Sequence, residues 1–287
     1  MSYYAIRVFR EYLLSGIAEG QPYTTLLVVR APEDPEDFSG IVVAEPMHSS
    51  GFSLMFQNMR EYMMSHGHAS VEIAPQKGPT ESVVVASNPE RYAAISVASN
   101  EQANEIIAQA GELLKANLPD GPLPGMTVRK LILTGTSQSS ATVRTYMGGL
   151  HASRRLPDGS AIYDGYLPTS TLGSSQLEMV DVPAVHMPTQ TEVTSQAEGG
   201  NLYRREDSDD AMRPYRLYEV AGLPHADSRE NRNNDGRCDL MISSFPLGAM
   251  MSVGLHHLVA WIDQGTVPPH ADRIVVDGDT AGDGTVP

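Results

Sequence analysis

Short apolar runs alternate along the chain with longer segments in which apolar residues recur every three or four positions. The short runs have the length of strands, and their alternation with helical patterns is typical of a mostly parallel sheet with helices on both faces. The predicted strands comprise residues 25–29, 40–44, 69–74, 130–134, 162–167, 184–187 and 215–220, preceded by an N-terminal candidate at 3–14. The first few strands are compatible with an antiparallel meander, for which residues 32–37 supply turn chemistry.

Three segments carry the apolar spacing of a helix. In residues 52–65 the apolar positions are Phe52, Met55, Phe56, Met59 and Met63, which fall on a single helical face. Residues 100–114 and 250–261 repeat this spacing. We expect the methionines of the first segment to fill the core rather than to line a pocket, because methionine packs well into irregular gaps. No linker divides the chain into two cores, so we predict one domain over residues 1–287.

Two polar segments, residues 194–213 and 227–239, interrupt the alternation and are interpreted as exposed loops. Only the 15 residues 168–182 separate the sixth and seventh predicted strands. A large helical cap does not fit in so short a connection. We therefore expect a small or medium-sized substrate rather than a long-chain lipid.

Composition and charge narrow the choice of partners. The 287 residues are 41% hydrophobic and carry a net charge of −15, with 20 basic against 35 acidic side chains. So acidic a surface repels phosphate backbones and anionic lipids, which argues against nucleic-acid and membrane binding. The single cysteine, Cys238, excludes a framework of intrachain disulfides. No run approaches the roughly 18 apolar residues of a membrane span. We expect a cytoplasmic protein, or a secreted or periplasmic one whose leader has been removed.

A candidate nucleophile follows the predicted strand at 130–134. There Gly135, Ser137 and Ser139 form a Gly-x-Ser-x-Ser pattern, and a helical segment begins at once. A nucleophilic serine on a sharp strand-to-helix turn needs small residues two positions before and after it, because larger side chains would collide where the chain reverses. This context predicts that Ser137 is the nucleophile and that the amide of Gln138 faces developing negative charge.

A serine nucleophile needs a base and an acid. His225 lies late in the chain, just past a predicted strand, where the order serine, acid, histidine places the base. Glu192 follows the predicted strand at 184–187 and is our choice for the acid that orients the imidazole. Asp164 is the competing acid, but it lies inside a predicted strand. Asp227 is too close to His225 in sequence to be positioned by another strand.

Several segments together resemble the bacterial alpha/beta hydrolase domain family of the α/β-hydrolase superfamily. They are EYLLSG at 11–16, FSGIVVAE at 38–45, PERY at 89–92, GTSQS at 135–139 and EVAGLPHAD at 219–227. The resemblance implies an α/β-hydrolase fold and a Ser–acid–His hydrolase whose natural substrates are mostly unassigned. The chain departs from the family at 45–51, EPMHSSG, where many relatives have Trp and Asn. In such folds this loop supplies the second oxyanion donor, so we expect a backbone N–H of Met47 or His48 there. Alternatively, the His48 ring contacts substrate.

Metal and nucleotide cofactors are not expected. Residues 231–236 begin like a calcium loop, but its twelfth position is Ile242 rather than glutamate. His66 and His68, and likewise His256 and His257, have no carboxylate or cysteine partner pattern nearby, and no phosphate-binding glycine motif is present. The leading hypothesis is an esterase that forms an acyl-enzyme on Ser137 with a small-molecule ester. Acyl transfer to another alcohol and a non-catalytic binding protein are the alternatives, and homo-oligomer formation is left open.

Overall fold

The computed structural model describes residues 8–228 and 241–276 and contains an eight-stranded sheet. The strands are β1 (Val8–Ala18), β2 (Gln21–Ala31), β3 (Ile41–Pro46), β4 (Ala69–Ile73), β5 (Lys130–Thr136), β6 (Gly165–Thr169), β7 (Ala184–His186) and β8 (Tyr215–Leu217). Their order is β1-β2-β4-β3-β5-β6-β7-β8. The β1–β2 and β2–β4 pairs are antiparallel and all the others are parallel. This arrangement confirms the predicted mostly parallel sheet with antiparallel N-terminal strands.

Helices cover both faces of the sheet. They are α1 (Leu54–Ser65), α2 (Lys77–Pro79), α3 (Ala103–Lys115), α4 (Gln138–Gly149), α5 (Gln190–Glu198) and α6 (Leu247–Gln264). Helix α2 continues as a π-helix over Thr80–Val85, and 3-10 turns cover Pro35–Asp37 and Asn100–Gln102. Helices α3 and α4 share one hydrophobic cluster with the sheet, whereas α1 and α6 share another on the opposite face. None of these helices is long and apolar enough to cross a membrane.

The methionines of α1 lie in the core, as predicted. Met55, Met59 and Met63 are buried in the cluster that joins α1 to α6, whereas Phe52 precedes the helix and is 57% exposed. The connection between β6 and β7 carries no helix, which confirms the absence of a large cap there. Cys238 and the calcium-like segment 231–236 lie outside the described residues.

The turn predicted for the N-terminal meander is wrong. Strands β1 and β2 are joined at Glu19 and Gly20, whose φ angles of 48° and 69° are those of a tight two-residue hairpin turn. Residues 32–37 instead lead to β3, which pairs in parallel with β4 and β5. Both segments contain turn-forming residues, and only tertiary pairing decides which of them closes a hairpin.

Helix α5 falls partly in the segment that we interpreted as an exposed loop. Only Val193 of its nine residues is buried, so the helix carries almost no apolar periodicity. Its signal is a capping box, in which Thr189 and Glu192 satisfy each other's backbone groups at the first turn. The remaining residues of the polar segment, 199–213, contain no helix.

Candidate active site

The chain reverses sharply at Ser137, between β5 and α4. Ser137 has φ 53° and ψ −118°, a strained conformation for any residue with a side chain. A Cβ on Gly135 would lie 2.6 Å from the backbone of Ser139, so glycine is required there. The buried Ser139 hydroxyl donates to the Thr136 carbonyl at 2.9 Å and thereby closes the turn. The small residues around Ser137 thus have the steric role that the sequence pattern indicates.

Ser137, His225 and Glu192 form a continuous hydrogen-bonded chain. The distance from Ser137 Oγ to His225 Nε2 is 2.9 Å, and from His225 Nδ1 to Glu192 Oε1 it is 2.6 Å. Ser137 follows β5, Glu192 lies in the first turn of α5 after β7, and His225 follows β8. Because the carboxyl ends of parallel strands meet at one edge of a sheet, three residues far apart in sequence converge there.

Glu192 is held in place independently of His225. Its Oε2 accepts hydrogen bonds from the Thr189 N–H at 2.7 Å and the Thr189 hydroxyl at 2.8 Å. Its side chain is 12% exposed, whereas that of His225 is 47% exposed. The His225 N–H also donates to Thr191 Oγ1 at 3.2 Å. The first turn of α5 therefore fixes both the carboxylate and the loop that carries the imidazole.

The competing carboxylates serve other contacts. Asp164 directly precedes β6, at the end of the strand away from Ser137, and its Oδ2 accepts from Lys115 Nζ at 2.5 Å and from the Leu131 N–H at 2.6 Å. Asp227 Oδ2 accepts from the Leu247 N–H at 3.0 Å, at the start of α6. The structure therefore brings Glu192, and not Asp164, to His225.

The structure separates the two predicted oxyanion donors, Met47 and His48. The Met47 N–H donates to the Ile73 carbonyl at 2.6 Å and so continues the β3–β4 ladder beyond Pro46. Because this N–H is already engaged in the sheet, His48 is the remaining candidate for the second oxyanion donor. His48 is the next residue along the same loop, and Gln138 is the first residue of α4, where backbone N–H groups point out of the helix.

The His48 ring has a defined tautomer. Its Nδ1 accepts the Ser50 N–H at 3.1 Å and lies 2.8 Å from the Ser50 hydroxyl. This acceptor role places the ring hydrogen on Nε2. Burial, together with the nearby His225, lowers the pKa of His48, which therefore stays neutral at neutral pH. The ring is thus available as a neutral donor close to His225.

Sequence reasoning missed the side-chain contacts of Gln138. Its Oε1 accepts the Ser49 N–H at 3.0 Å, and its Nε2 donates to Gln76 Oε1 at 2.7 Å. The residue after Ser137 therefore ties the loop 47–53 to the segment that follows β4. The Ser137 N–H, in turn, donates to the Thr169 carbonyl at 3.1 Å. No sequence signal indicates these contacts, because they join loops that are far apart in the chain.

A buried polar cluster contacts the end of the loop 47–53 and the start of α1. Glu45 Oε2 accepts the Met55 N–H at 2.7 Å, at the start of α1. The hydroxyl of Ser53 donates to Glu72, and Arg30 lies 3.7 Å from the same carboxylate. Burial and the neighbouring Glu72 raise the pKa of Glu45 to about 8. The sequence signal for this cluster was that Glu45 and Glu72 each lie inside an apolar run.

The histidine pairs lie away from this edge of the sheet. Tyr62 stacks on His66 with ring centroids 4.1 Å apart, and its hydroxyl lies 3.2 Å from His256 Nδ1. His68 Nδ1 lies 2.7 Å from the Ser39 hydroxyl. Within residues 8–228 and 241–276, no group of three or more histidine, cysteine, aspartate or glutamate side chains is arranged to hold a metal ion.

Comparison with known proteins places the fold. The sequence pattern of the family described as alpha/beta hydrolase domain matches residues 10–286. Similar solved structures include a fungal esterase from Rhizomucor miehei, with a TM-score of 0.52 and 11% identity over 89% of this chain and 86% of that one. An esterase from Pseudomonas putida has a TM-score of 0.51 and 12% identity over 88% and 83% of the two chains. A carboxylesterase from Lactobacillus plantarum has a TM-score of 0.51 and 11% identity over 92% and 100%. None of the curated proteins compared with the chain matches it.

Proposed function

The chain belongs to the alpha/beta hydrolase domain family, and from this premise we propose that it is a serine esterase that forms an acyl-enzyme on Ser137. The observation that carries the proposal is the continuous hydrogen-bonded chain from Ser137 through His225 to Glu192. The three esterases with the same fold support the reaction class. The substrate is a small or medium uncharged carboxylic ester or lactone.

The three side chains have separate roles in the proposed reaction. As Ser137 Oγ attacks the ester carbonyl, His225 Nε2 takes its proton, and the Nδ1–H of the resulting imidazolium donates to Glu192 Oε1. His225 then returns the proton to the departing alkoxide, which leaves as an alcohol. In the second half, His225 deprotonates a water molecule that attacks the acyl-enzyme and releases the acid and free Ser137.

Backbone N–H groups stabilise the negative charge that develops on the carbonyl oxygen. We assign these to the N–H groups of Gln138 and His48, which flank Ser137 from the start of α4 and from the loop after β3. The N-terminus of α4 adds the favourable end of the helix dipole at this point. Gln138 also holds the His48 loop through Ser49, so one residue provides a donor and positions the other.

The first test is the hydrolysis of p-nitrophenyl butyrate by the wild type and two serine variants. Ser137→Ala should lower kcat by about 10⁴–10⁶-fold, since the members of a triad act as a unit. Ser140→Ala is the matched control, because Ser140 is buried two residues after Gln138 and its hydroxyl has no hydrogen-bond partner among the described residues. The control should stay close to wild type. Equal activity of Ser137→Ala and wild type would refute the esterase mechanism.

A further inference from the structure

A cavity of about 240 Å³ lies beside the loop 47–53, on the face of the sheet that α1 covers. Its apolar wall consists of Leu26, Val28, Met47, Val83 and Val84. Four of these residues, all except Val83, belong to a separate hydrophobic cluster between the sheet and the segment after β4. Typical small-molecule pockets enclose about 300–1,000 Å³. The cavity is therefore large enough for a short chain and too small for a long one.

The loop brings this cavity close to Ser137. Met47 lines the cavity, and in the same loop the Ser49 N–H donates to Oε1 of Gln138, the residue after Ser137, at 3.0 Å. The Gly51 N–H donates to the His48 carbonyl at 2.8 Å, which closes a turn. The ends of such a turn lie within about 7 Å of each other. Gly51 also lines the cavity, so the cavity begins one turn away from the residues around Ser137.

The sheet order decides which half of an ester faces the cavity. The cavity lies over β1, β2 and β4, on one side of β5, whereas His225 follows β8 on the other side. The leaving oxygen must stay within reach of His225 Nε2, because it receives its proton from that atom. The leaving group therefore points towards β8. The acyl group therefore points in the opposite direction, towards β4 and the cavity.

The polar residues of the cavity select against charge. Glu11 and Glu72 lie on the same sheet face, both opposite Val28 in the strand register. Although burial opposes it, the hydrogen bonds from Tyr92 and Arg91 lower the pKa of Glu11, which is ionised at neutral pH. A carboxylate at the end of an acyl chain would lose its hydration in this confined space, and none of the described residues that line the cavity is basic.

Gly51 and Val83 meet in the wall of the cavity. Gly51 has φ 79°, and a Cβ there would lie 2.1 Å from Val83 Cγ1. Val83 therefore packs directly against the backbone of the turn. A smaller side chain at this position would enlarge the cavity beside the turn, and Val84, which is buried, also belongs to the cavity wall.

We propose that this cavity is the acyl subsite and that it accepts an uncharged acyl chain of intermediate length, such as butanoyl or hexanoyl. The proposal rests on the esterase function above. It makes Val83 and Val84 the residues that determine acyl-chain preference. It also predicts that an acyl chain ending in a carboxylate is a poor substrate.

The test is the ratio of kcat/KM for p-nitrophenyl hexanoate to that for p-nitrophenyl acetate. Val84→Phe, which fills the cavity, should lower this ratio about tenfold, the equivalent of about two methylene groups that can no longer be buried. Val83→Ala, which enlarges the cavity beside Gly51, should raise the hexanoate-to-acetate ratio. The matched control is Val85→Phe, since Val85 belongs to the same segment and packs beside the cavity without lining it. The ratio for Val85→Phe should equal that of the wild type. Melting temperatures show whether each variant is folded.

The outcomes of this experiment separate the two proposals. If hydrolysis of the acetate ester survives in Ser137→Ala, the esterase function fails. If hydrolysis depends on Ser137 but neither Val84→Phe nor Val83→Ala changes the ratio relative to Val85→Phe, only the acyl subsite is refuted. The mono-p-nitrophenyl ester of adipic acid, a hexanoyl chain with a terminal carboxylate, should react at least about tenfold more slowly than the hexanoate. Equal rates would also overturn the assignment.

Discussion

Ser137 combines a strained backbone with a hydroxyl that lies 2.9 Å from Nε2 of His225, the proposed base. The residue keeps a φ of 53° because Gly135 and Ser139 leave room for the turn and because its N–H donates to the Thr169 carbonyl. Such strain costs on the order of 1–3 kcal/mol and persists only where the surrounding contacts determine it. In exchange, the serine hydroxyl lies at the carboxyl edge of the sheet, directly opposite His225.

The residue-scale prediction concerns the acid. Glu192→Gln should lower kcat for p-nitrophenyl butyrate by about 10³–10⁴-fold, because an amide no longer stabilises the imidazolium or fixes its tautomer. The fold should persist, since glutamine can still accept the hydrogen bonds from Thr189 that close the first turn of α5. Steady-state kinetics and circular dichroism measure both effects.

Asp164→Asn is the control for this prediction. Asp164 pairs with Lys115 and accepts the Leu131 N–H far from Ser137, so its loss should reduce stability and leave turnover near wild type. If instead Asp164→Asn abolishes turnover and Glu192→Gln does not, the acid is the one before β6 and our assignment fails.

Elements that bury many apolar residues could be predicted from the sequence, whereas an element that buries few could not. All six residues of β3 are buried, and its first four, residues 41–44, form a continuous apolar run, whereas α3 buries one full face. Helix α5 buries only Val193, and its sole signal was the Thr189–Glu192 capping box. The positions of Ser137, Glu192 and His225 after β5, β7 and β8 could be deduced from the order of the predicted strands. The hydrogen bond from the Met47 N–H to the Ile73 carbonyl could not be deduced from the sequence, because it depends on the register of β3 against β4.

The prediction at the scale of elements concerns Glu45, which holds the start of α1. Its pKa is raised to about 8 by burial and by Glu72, whereas a glutamate in the unfolded chain titrates near 4.3. Between these two pH values the folded protein keeps a proton that the unfolded chain releases. The free energy of unfolding should therefore fall as pH rises, by up to about 1.4 kcal/mol per pH unit from this group.

Urea unfolding from pH 5 to pH 8 measures this effect. Glu45→Gln cannot ionise, so the stability of the wild type relative to this variant should fall steadily across the range. Glu61→Gln removes an exposed glutamate of the same helix and should follow wild type throughout. Parallel pH profiles for wild type and Glu45→Gln would show that Glu45 does not hold a proton in the folded protein.

At the scale of the whole molecule, the described residues place no helical cap between β6 and β7. The β6–β7 connection has no helix, and the segment after α5 is polar. The net charge of −15 further disfavours anionic lipid surfaces. We expect p-nitrophenyl butyrate to be hydrolysed faster than the palmitate ester, with no rate increase when substrate forms an interface. Initial rates measured below and above the solubility limit check this, and faster turnover of palmitate would contradict it.

The central claim is that Ser137 is the nucleophile, and covalent labelling tests it most directly. The protein would be treated with a fluorophosphonate, the adduct mapped by peptide mass spectrometry, and the residual hydrolysis of p-nitrophenyl butyrate followed in parallel. We predict one adduct, on Ser137, with activity lost in proportion to labelling, and no adduct in Ser137→Ala. Labelling of a different residue, or full activity in the protein labelled at Ser137, would contradict the account.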